Sequence, residues 1–223
     1  MPPVALRHIF DQVVAYGLHD CLELGTGFGT TACVIASALD CIGGGRLVTI
    51  DLDQSGPVNV GRLMAHCGID PARVEIVAEP LGYNWWLGDA LGTRHGDAAR
   101  ERGFDFCLLD GAHEWNQDAL AFLLVARLLR PGGWLAVDDL DFRLRQVAER
   151  PEFGARDPRE LDSFQMRQVW DLLVQSHPDF GDRHEFPPGR LGWARKLRPR
   201  HTPLGWLDRL RRAQPRRLGA PGF

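Results

Sequence analysis

Lysine is nearly missing from this chain: of 26 basic residues only Lys196 is a lysine, a skew that fits a GC-rich coding sequence and carries no mechanistic message. No C-x-x-C pair occurs among Cys21, Cys33, Cys41, Cys67 and Cys107, and five is an odd number. A complete disulfide framework is therefore excluded, and the thiols read as reduced residues of apolar runs. Long apolar runs are absent too. The longest, Ala119 to Leu129, is broken by Arg127 and falls far short of the roughly 20 residues that span a bilayer. The first 18 residues carry Arg7 and Asp11 within an apolar pattern and lack a signal-peptide layout, so a cytoplasmic location is expected. There is no repeat and no low-complexity tract, the 15 prolines and 25 glycines being scattered.

What is present is the composition of one globular domain: 223 residues, 44% hydrophobic and 25% charged. A chain of this size buries roughly 70% of its unfolded surface, so any metal must have a chemical task. A helical period over 4–16 opens the chain. Strand signals then fall at 20–24, 46–50, 74–77, 104–109 and 134–137, with helices expected at 30–39, 57–66, 114–129 and 163–176. Strands alternating with crossover helices imply right-handed βαβ units and a parallel sheet covered on both faces. Two further strands, 179–186 and 191–197, are joined by Pro187-Pro188-Gly189-Arg190, which is short enough to force an antiparallel hairpin. The expected fold is α/β: a Rossmann-like, doubly wound, mostly parallel sheet of seven strands ending in an antiparallel hairpin.

The segment Glu23-Leu24-Gly25-Thr26-Gly27-Phe28-Gly29-Thr30 joins the first strand to a helix. Its spacing is G-x-G-x-G, whereas a dinucleotide site needs G-x-G-x-x-G to bring pyrophosphate to the helix N-terminus. Glu23 would repel a pyrophosphate but suits an amine or a sulfonium. Asp51 ends the second strand, 26 residues after Gly25, where a carboxylate faces ribose hydroxyls in this fold class. Turn, acid spacing and hairpin together resemble the class I S-adenosylmethionine-dependent methyltransferases over about residues 20–197. The resemblance implies that Glu23, Gly25, Thr26, Gly27 and Gly29 line the methionine part of the cofactor and that Asp51 holds the ribose. Near the adenine it offers either Glu79 or the Gly88-Asp89-Ala90 pattern, with Asp89 the assigned residue. Trp85 and Trp86 either stack on the base or sit in a helix packed on the sheet.

A second constellation is Asp110-Gly111-Ala112-His113 after the fourth strand and Asp138-Asp139 after the fifth. Three carboxylates at adjacent strand ends repel one another, and a hard divalent cation relieves that. Oxygen ligands without a nearby cysteine favour Mg2+ over zinc at Asp110, Asp138 and Asp139, with calcium or manganese as the alternatives. The alternative is that one of the Asp138-Asp139 pair caps the next loop and Asp110 binds backbone. The pattern looks like the metal-dependent O-methyltransferases of the macrocin type. That resemblance implies Asp110 at both cofactor and metal and His113 as the base for a substrate hydroxyl, against His113 as a plain helix-start residue.

The expected function is methylation of a hydroxylated small molecule, with a metal-independent methyltransferase using His113 as the runner-up. A nucleotide-binding oxidoreductase and a silent scaffold are the alternatives outside that class. Phe142, Arg143 and Arg145 fall where an acceptor pocket is expected, and a homodimer is a possible completion of that pocket. The domain is expected to span 1–197, followed by a basic, weakly ordered tail over 198–223. That tail carries a formal charge of +6 and the rest −9, so the overall −3 averages two unlike parts. Nucleic acid and membrane are not the expected partners.

Overall fold

The computed structural model describes residues 1–92, 103–150 and 156–198. The expected tail lies outside them, apart from Arg198. Its elements are α1 (Pro3–Tyr16), β1 (Asp20–Leu24), α2 (Thr30–Cys41), β2 (Arg46–Asp51), α3 (Val60–Cys67), β3 (Val74–Ala78), α4 (Tyr83–Leu91) and β4 (Phe104–Leu109). They continue as α5 (Trp115–Leu128), β5 (Leu129–Val137), α6 (Pro158–Asp162), α7 (Gln165–Gln168, continued by a π-helical stretch to Val174), β6 (Phe180–Phe186) and β7 (Leu191–Lys196). The sheet order is β3-β2-β1-β4-β5-β7-β6, parallel through β5 and antiparallel for the two last strands. No helix among the described residues is long and apolar enough to cross a membrane.

Strand alternation builds two cores. In β4, Cys107 and Leu109 join Leu22, Leu24 and Ile50 under α4, α5 and α7, and Phe104 reaches the same side through the ladder irregularity before Phe106. Phe106 and Leu108 face the other way and meet Ile9, Ile35, Leu39 and Trp193 under α1 and α2. Of the cysteines, Cys21, Cys33 and Cys107 are buried and Cys41 and Cys67 exposed, all as free thiols.

Several boundaries differ from the sequence reading for local reasons. The third helix begins at Val60, not Pro57, because the Asn59 side chain accepts from the Arg62 amide and caps it there. The fifth strand begins at Leu129, not Trp134, running through Pro131-Gly132-Gly133 because its ladder with β4 is irregular between Phe104 and Phe106. The aromatic segment is helix α4, whose buried Tyr83, Leu87 and Ala90 lie on one helical face.

The topology switches between β1 and β4, and a cleft opens at their carboxyl ends. Backbone bonds carry the ladder one residue past each strand: Gly25 N–H to Ile50 O (2.9 Å), Asp110 N–H to Leu24 O (2.9 Å), Asp138 N–H to Leu109 O (3.0 Å) and Glu79 N–H to Asp51 O (2.8 Å). The acids expected to act are thus held along one edge.

Candidate active site

The cleft has a volume of about 830 Å³ and is lined by Gly25, Thr26, Gly27, Asp51, Asp110, His113 and Asp139 among others. Gly25 has φ +94°, and a Cβ there would stand 1.9 Å from the Asp110 carbonyl oxygen. The β1 turn and the β4 end therefore touch through backbone, and only glycine permits it. Gly29 also has a positive φ (+90°), but a Cβ on it would meet Val60 of α3. It does not line the cleft; its smallness serves helix packing.

Asp51 closes the turn from the side. Its Oδ2 accepts from Gly27 N–H (2.7 Å) and its Oδ1 from Leu52 N–H (2.7 Å). Glu23 lies beneath, fully buried and off the cleft wall. It sits opposite Thr49 in the β1–β2 register, and the Thr49 hydroxyl donates to its Oε2 at 2.5 Å. The Thr49 hydroxyl also lies 2.6 Å from that of Thr26, where either oxygen can donate. A chain Thr26–Thr49–Glu23 connects the cleft lining to the buried acid. Burial pushes the Glu23 carboxyl up to about 8, with Asp110 and Asp51 adding to it and the Thr49 hydrogen bond opposing.

Neither residue considered for the adenine lines the cleft. Glu79 accepts the Leu81 amide at 3.1 Å and so caps the turn before α4, while Asp89 is exposed on α4. Leu52, Pro80 and Leu81 form the wall instead. Trp86 packs against the core, its ring 6.5 Å from Phe104, and Trp85 is 61% exposed.

On the other side, the backbone leaves β5 and turns left-handed at Asp139 (φ +55°), and this separates Asp138 from Asp139. Asp138 is 1% exposed with neither carboxylate oxygen hydrogen-bonded, and Asp139 reaches the cleft. The group that converges is Asp110, His113 and Asp139, each offering an atom within 4.8 Å of the others. The expected trio of Asp110, Asp138 and Asp139 thus has His113 in the place of Asp138. His113 Nε2 lies 3.3 Å from Asp110 Oδ1 and 3.3 Å from Asp139 Oδ2.

Burial alone would strip the proton from His113, but its contacts with Asp110 and Asp139 and their charges prevail and push its pKa up to about 10. Burial likewise raises Asp139, yet the His113 bond and the charges of His113 and Arg190 hold it below the carboxylate range. Asp138 has no such help: burial, then the charges of Asp110 and Asp139, drive it well up. Arg190, from the β6–β7 hairpin, places Nη2 2.6 Å from Asp139 Oδ1. His113, Asp139 and Arg190 are three of the four non-glycine residues with positive φ among the described residues, so backbone strain concentrates here.

Below them a buried pair fixes the β4 loop. Tyr83 donates to Asp118 Oδ1 (2.5 Å) and accepts from the Ala112 amide (3.2 Å), while Asp118 Oδ2 accepts from the Glu114 amide (2.9 Å). Sequence reasoning found neither Tyr83, Asp118 nor Arg190. The spacing of Tyr83 and Asp118 carries no local pattern, and Arg190 is distant from Asp139 in sequence.

A seven-stranded sheet of this order, with a glycine turn after β1 and an acid after β2, defines the class I methyltransferase architecture. Residues 22–140 match the family described as "Methyltransferase domain"; the chain belongs to it and is an S-adenosylmethionine-dependent methyltransferase. No curated protein matches the sequence. An O-methyltransferase from Bacillus cereus in complex with SAH superposes with TM-score 0.59 at 20% identity, covering 89% of this chain and 82% of that one. The O-methyltransferase TomG from Streptomyces achromogenes, involved in tomaymycin synthesis and in complex with SAM, gives 0.62 at 19%, covering 89% and 82%. MycE from the mycinamycin biosynthetic pathway, in complex with Mg, SAH and mycinamycin VI, gives 0.54 at 18%, covering 88% of this chain and 50% of that one. These likenesses are likenesses of fold.

Proposed function

We propose that the protein methylates a hydroxyl of a small molecule, with a divalent cation, magnesium, assisting, and that residues 1–197 suffice for it. The observation that carries this reading is the convergence of Asp110, His113 and Asp139 on the cleft floor within 4.8 Å. The donor set fits a hard cation: two carboxylates face one point, and the buried oxygens of Asp138 behind them lack hydrogen bonds. Asp110 and Asp139 would hold the ion, with Asp138 adding its charge from below. When bound, magnesium supplies a positive charge that lowers the pKa of the acceptor hydroxyl and offsets the carboxylate field that keeps a proton on His113.

The chain's own residues then have separable tasks. Asp51 accepts from the ribose hydroxyls, and the Gly25–Gly27 backbone lies along the methionyl part. Glu23 steadies Thr26 through Thr49, a positioning role. His113 Nε2 takes the acceptor O–H proton as the oxygen–carbon bond forms and the carbon–sulfur bond breaks, leaving a neutral thioether. Proximity supplies the rest, because in-line displacement at carbon needs the oxygen close to the methyl. The names of the fold neighbours agree with this reading: one bears SAH, one SAM, and MycE carries Mg.

A second reading, in which His113 acts without metal, rests on Arg190, whose guanidinium already compensates Asp139. Methyl transfer from labelled S-adenosylmethionine into a phenol and sugar panel, with EDTA and then magnesium added back, separates the two. Loss with EDTA and recovery with magnesium are expected, and Asp139→Ala should remove the magnesium response with SAH affinity unchanged. EDTA-resistant transfer would establish the second reading.

A further inference from the structure

The segment after β5 supplies the acceptor side of the cleft with Phe142, Leu144 and Val147, and ends at Arg150, which also lines it. Arginines are dense in this region, and nearly all are engaged. Arg143 lies over the Phe164 ring at 4.0 Å. Arg145 makes two 2.8 Å bonds to Asp162, and Arg156 bonds of 2.7 and 2.8 Å to Glu114. Arg167 reaches Asp141 at 2.9 Å and Glu185 at 2.6 Å, and Arg190 is taken by Asp139. Two residues that the sequence offered as acceptor contacts, Arg143 and Arg145, are thus committed elsewhere.

Arg150 differs from all of these. Its side chain is exposed, borders the cleft and has no hydrogen bond, ion pair or ring contact to a described residue. Glu149 beside it does not line the cleft, and Arg156, which also lines it, is neutralised by Glu114. The cleft therefore carries negative charge at Asp110 and Asp139, with Arg190 and the Met1 amino group acting on Asp139, one guanidinium at Arg150 with no partner among the described residues, and the Phe142–Val147 wall in the same segment. An anionic group on an acceptor is repelled from the first and attracted to the last. This field orients such an acceptor with its hydroxyl toward His113 and its anion toward Arg150.

We infer that the methyl acceptor is an apolar or aromatic molecule bearing an oxyanion, carboxylate or phosphate, and that Arg150 is the residue selecting it. The inference rests on the hydroxyl-methylation reading above and names the substrate class for that site.

The test uses full-length protein saturated with SAH and magnesium, titrated calorimetrically with 4-hydroxybenzoate, 4-hydroxyphenyl phosphate and the neutral methyl 4-hydroxybenzoate. At least one anionic probe should bind about tenfold more tightly than the ester, the scale of a charge-assisted contact. The tighter anion identifies the oxyanion. Arg150→Ala should bring that probe down to the ester's affinity without moving the ester, and Arg150→Lys should restore part of the difference. Equal binding of all three probes, binding of none, or a preference that survives Arg150→Ala overturns the inference. So does a fall in SAH affinity in Arg150→Ala, which would assign the arginine to the cofactor's carboxylate. Absence of SAH binding by the unaltered protein would instead strike at the methyltransferase reading, so the two failures are distinct.

Discussion

The two edges of the sheet treat acids in opposite ways, although the same strands supply them. At the amino edge, Asp20 of β1 and Asp105 of β4 are matched by Arg46 and Arg130, with Arg130 Nη1 2.7 Å from both carboxylates. Burial raises Asp20, but those two arginines more than reverse it and hold its carboxyl below the ordinary value. At the carboxyl edge, Glu23 of β1 and Asp138 after β5 are raised, and the cations within reach are His113, Arg190 and the Met1 amino group. One edge is closed by its own arginines. The other holds buried acids whose ionisation the fold leaves undercompensated, where a sulfonium, a metal and an acceptor would be received. An enzyme gains by this asymmetry because unmatched charge at a site is binding energy held for the ligand.

The largest expected effect comes from breaking the joint between the halves of the functional edge. Gly25→Ala forces a Cβ into the Asp110 carbonyl and demands a φ of +94° from a non-glycine residue. It should cost about 3 kcal/mol or more and abolish SAH binding, seen as a lowered denaturation midpoint and a flat calorimetric titration. Near-normal stability and affinity would show that the turn and the β4 end need not touch.

Much of this edge is legible in the sequence. Strand alternation and the acids that follow each strand place Glu23, Asp51, Asp110 and Asp139 on it without a structure. The hairpin is legible because a connection of four residues admits one geometry. The division of labour between Asp138 and Asp139 is less so, since it depends on a positive φ at Asp139 that no residue pattern announces. Helix α4 is obscured by Gly88 and two tryptophans, though Tyr83, Leu87 and Ala90 keep the period. The arginine bookkeeping is invisible: nothing in the spacing tells that Arg145 pairs with Asp162 while Arg150 has no partner among the described residues.

Two smaller effects contrast the edges directly. Asp51→Ala should weaken SAH binding tenfold to a hundredfold, the scale of hydrogen bonds to a charged group, with little change in melting temperature. Calorimetry and thermal denaturation together check this, and unchanged affinity would remove Asp51 from the ribose site. Arg130→Ala should do the reverse. It leaves Asp20 and Asp105 without their shared partner and should cost on the order of 1 kcal/mol, given that the arginine is partly exposed. SAH affinity should stay the same. A loss of affinity in this variant would mean the two edges are coupled through β1 and β4.

The effect that vanishes at low pH is expected at Glu23, and its sign separates the edges most cleanly. In the folded protein burial holds its carboxyl near 8, against an ordinary 4.5. Between those values the folded state keeps a proton that the unfolded chain releases. Stability from this group is therefore complete below 4.5 and is lost as pH rises from there to about 8. Asp20, with its lowered pKa, contributes in the opposite sense: its share is present above the ordinary carboxylate value and is lost as pH falls. Glutamine mimics the neutral acid and does not ionise in the unfolded chain, so Glu23→Gln should match the unaltered protein near pH 4.5, gain on it steadily as pH rises through 7 to about 8, and keep that margin above. Urea denaturation of the cofactor-free protein from pH 5 to pH 9 reads this directly. The fall in stability should become shallower in the variant without vanishing, because Asp118 and Asp138 are raised as well. Parallel curves for the two proteins would mean that Glu23 is ionised in the fold and that the carboxyl edge is as well compensated as the amino edge.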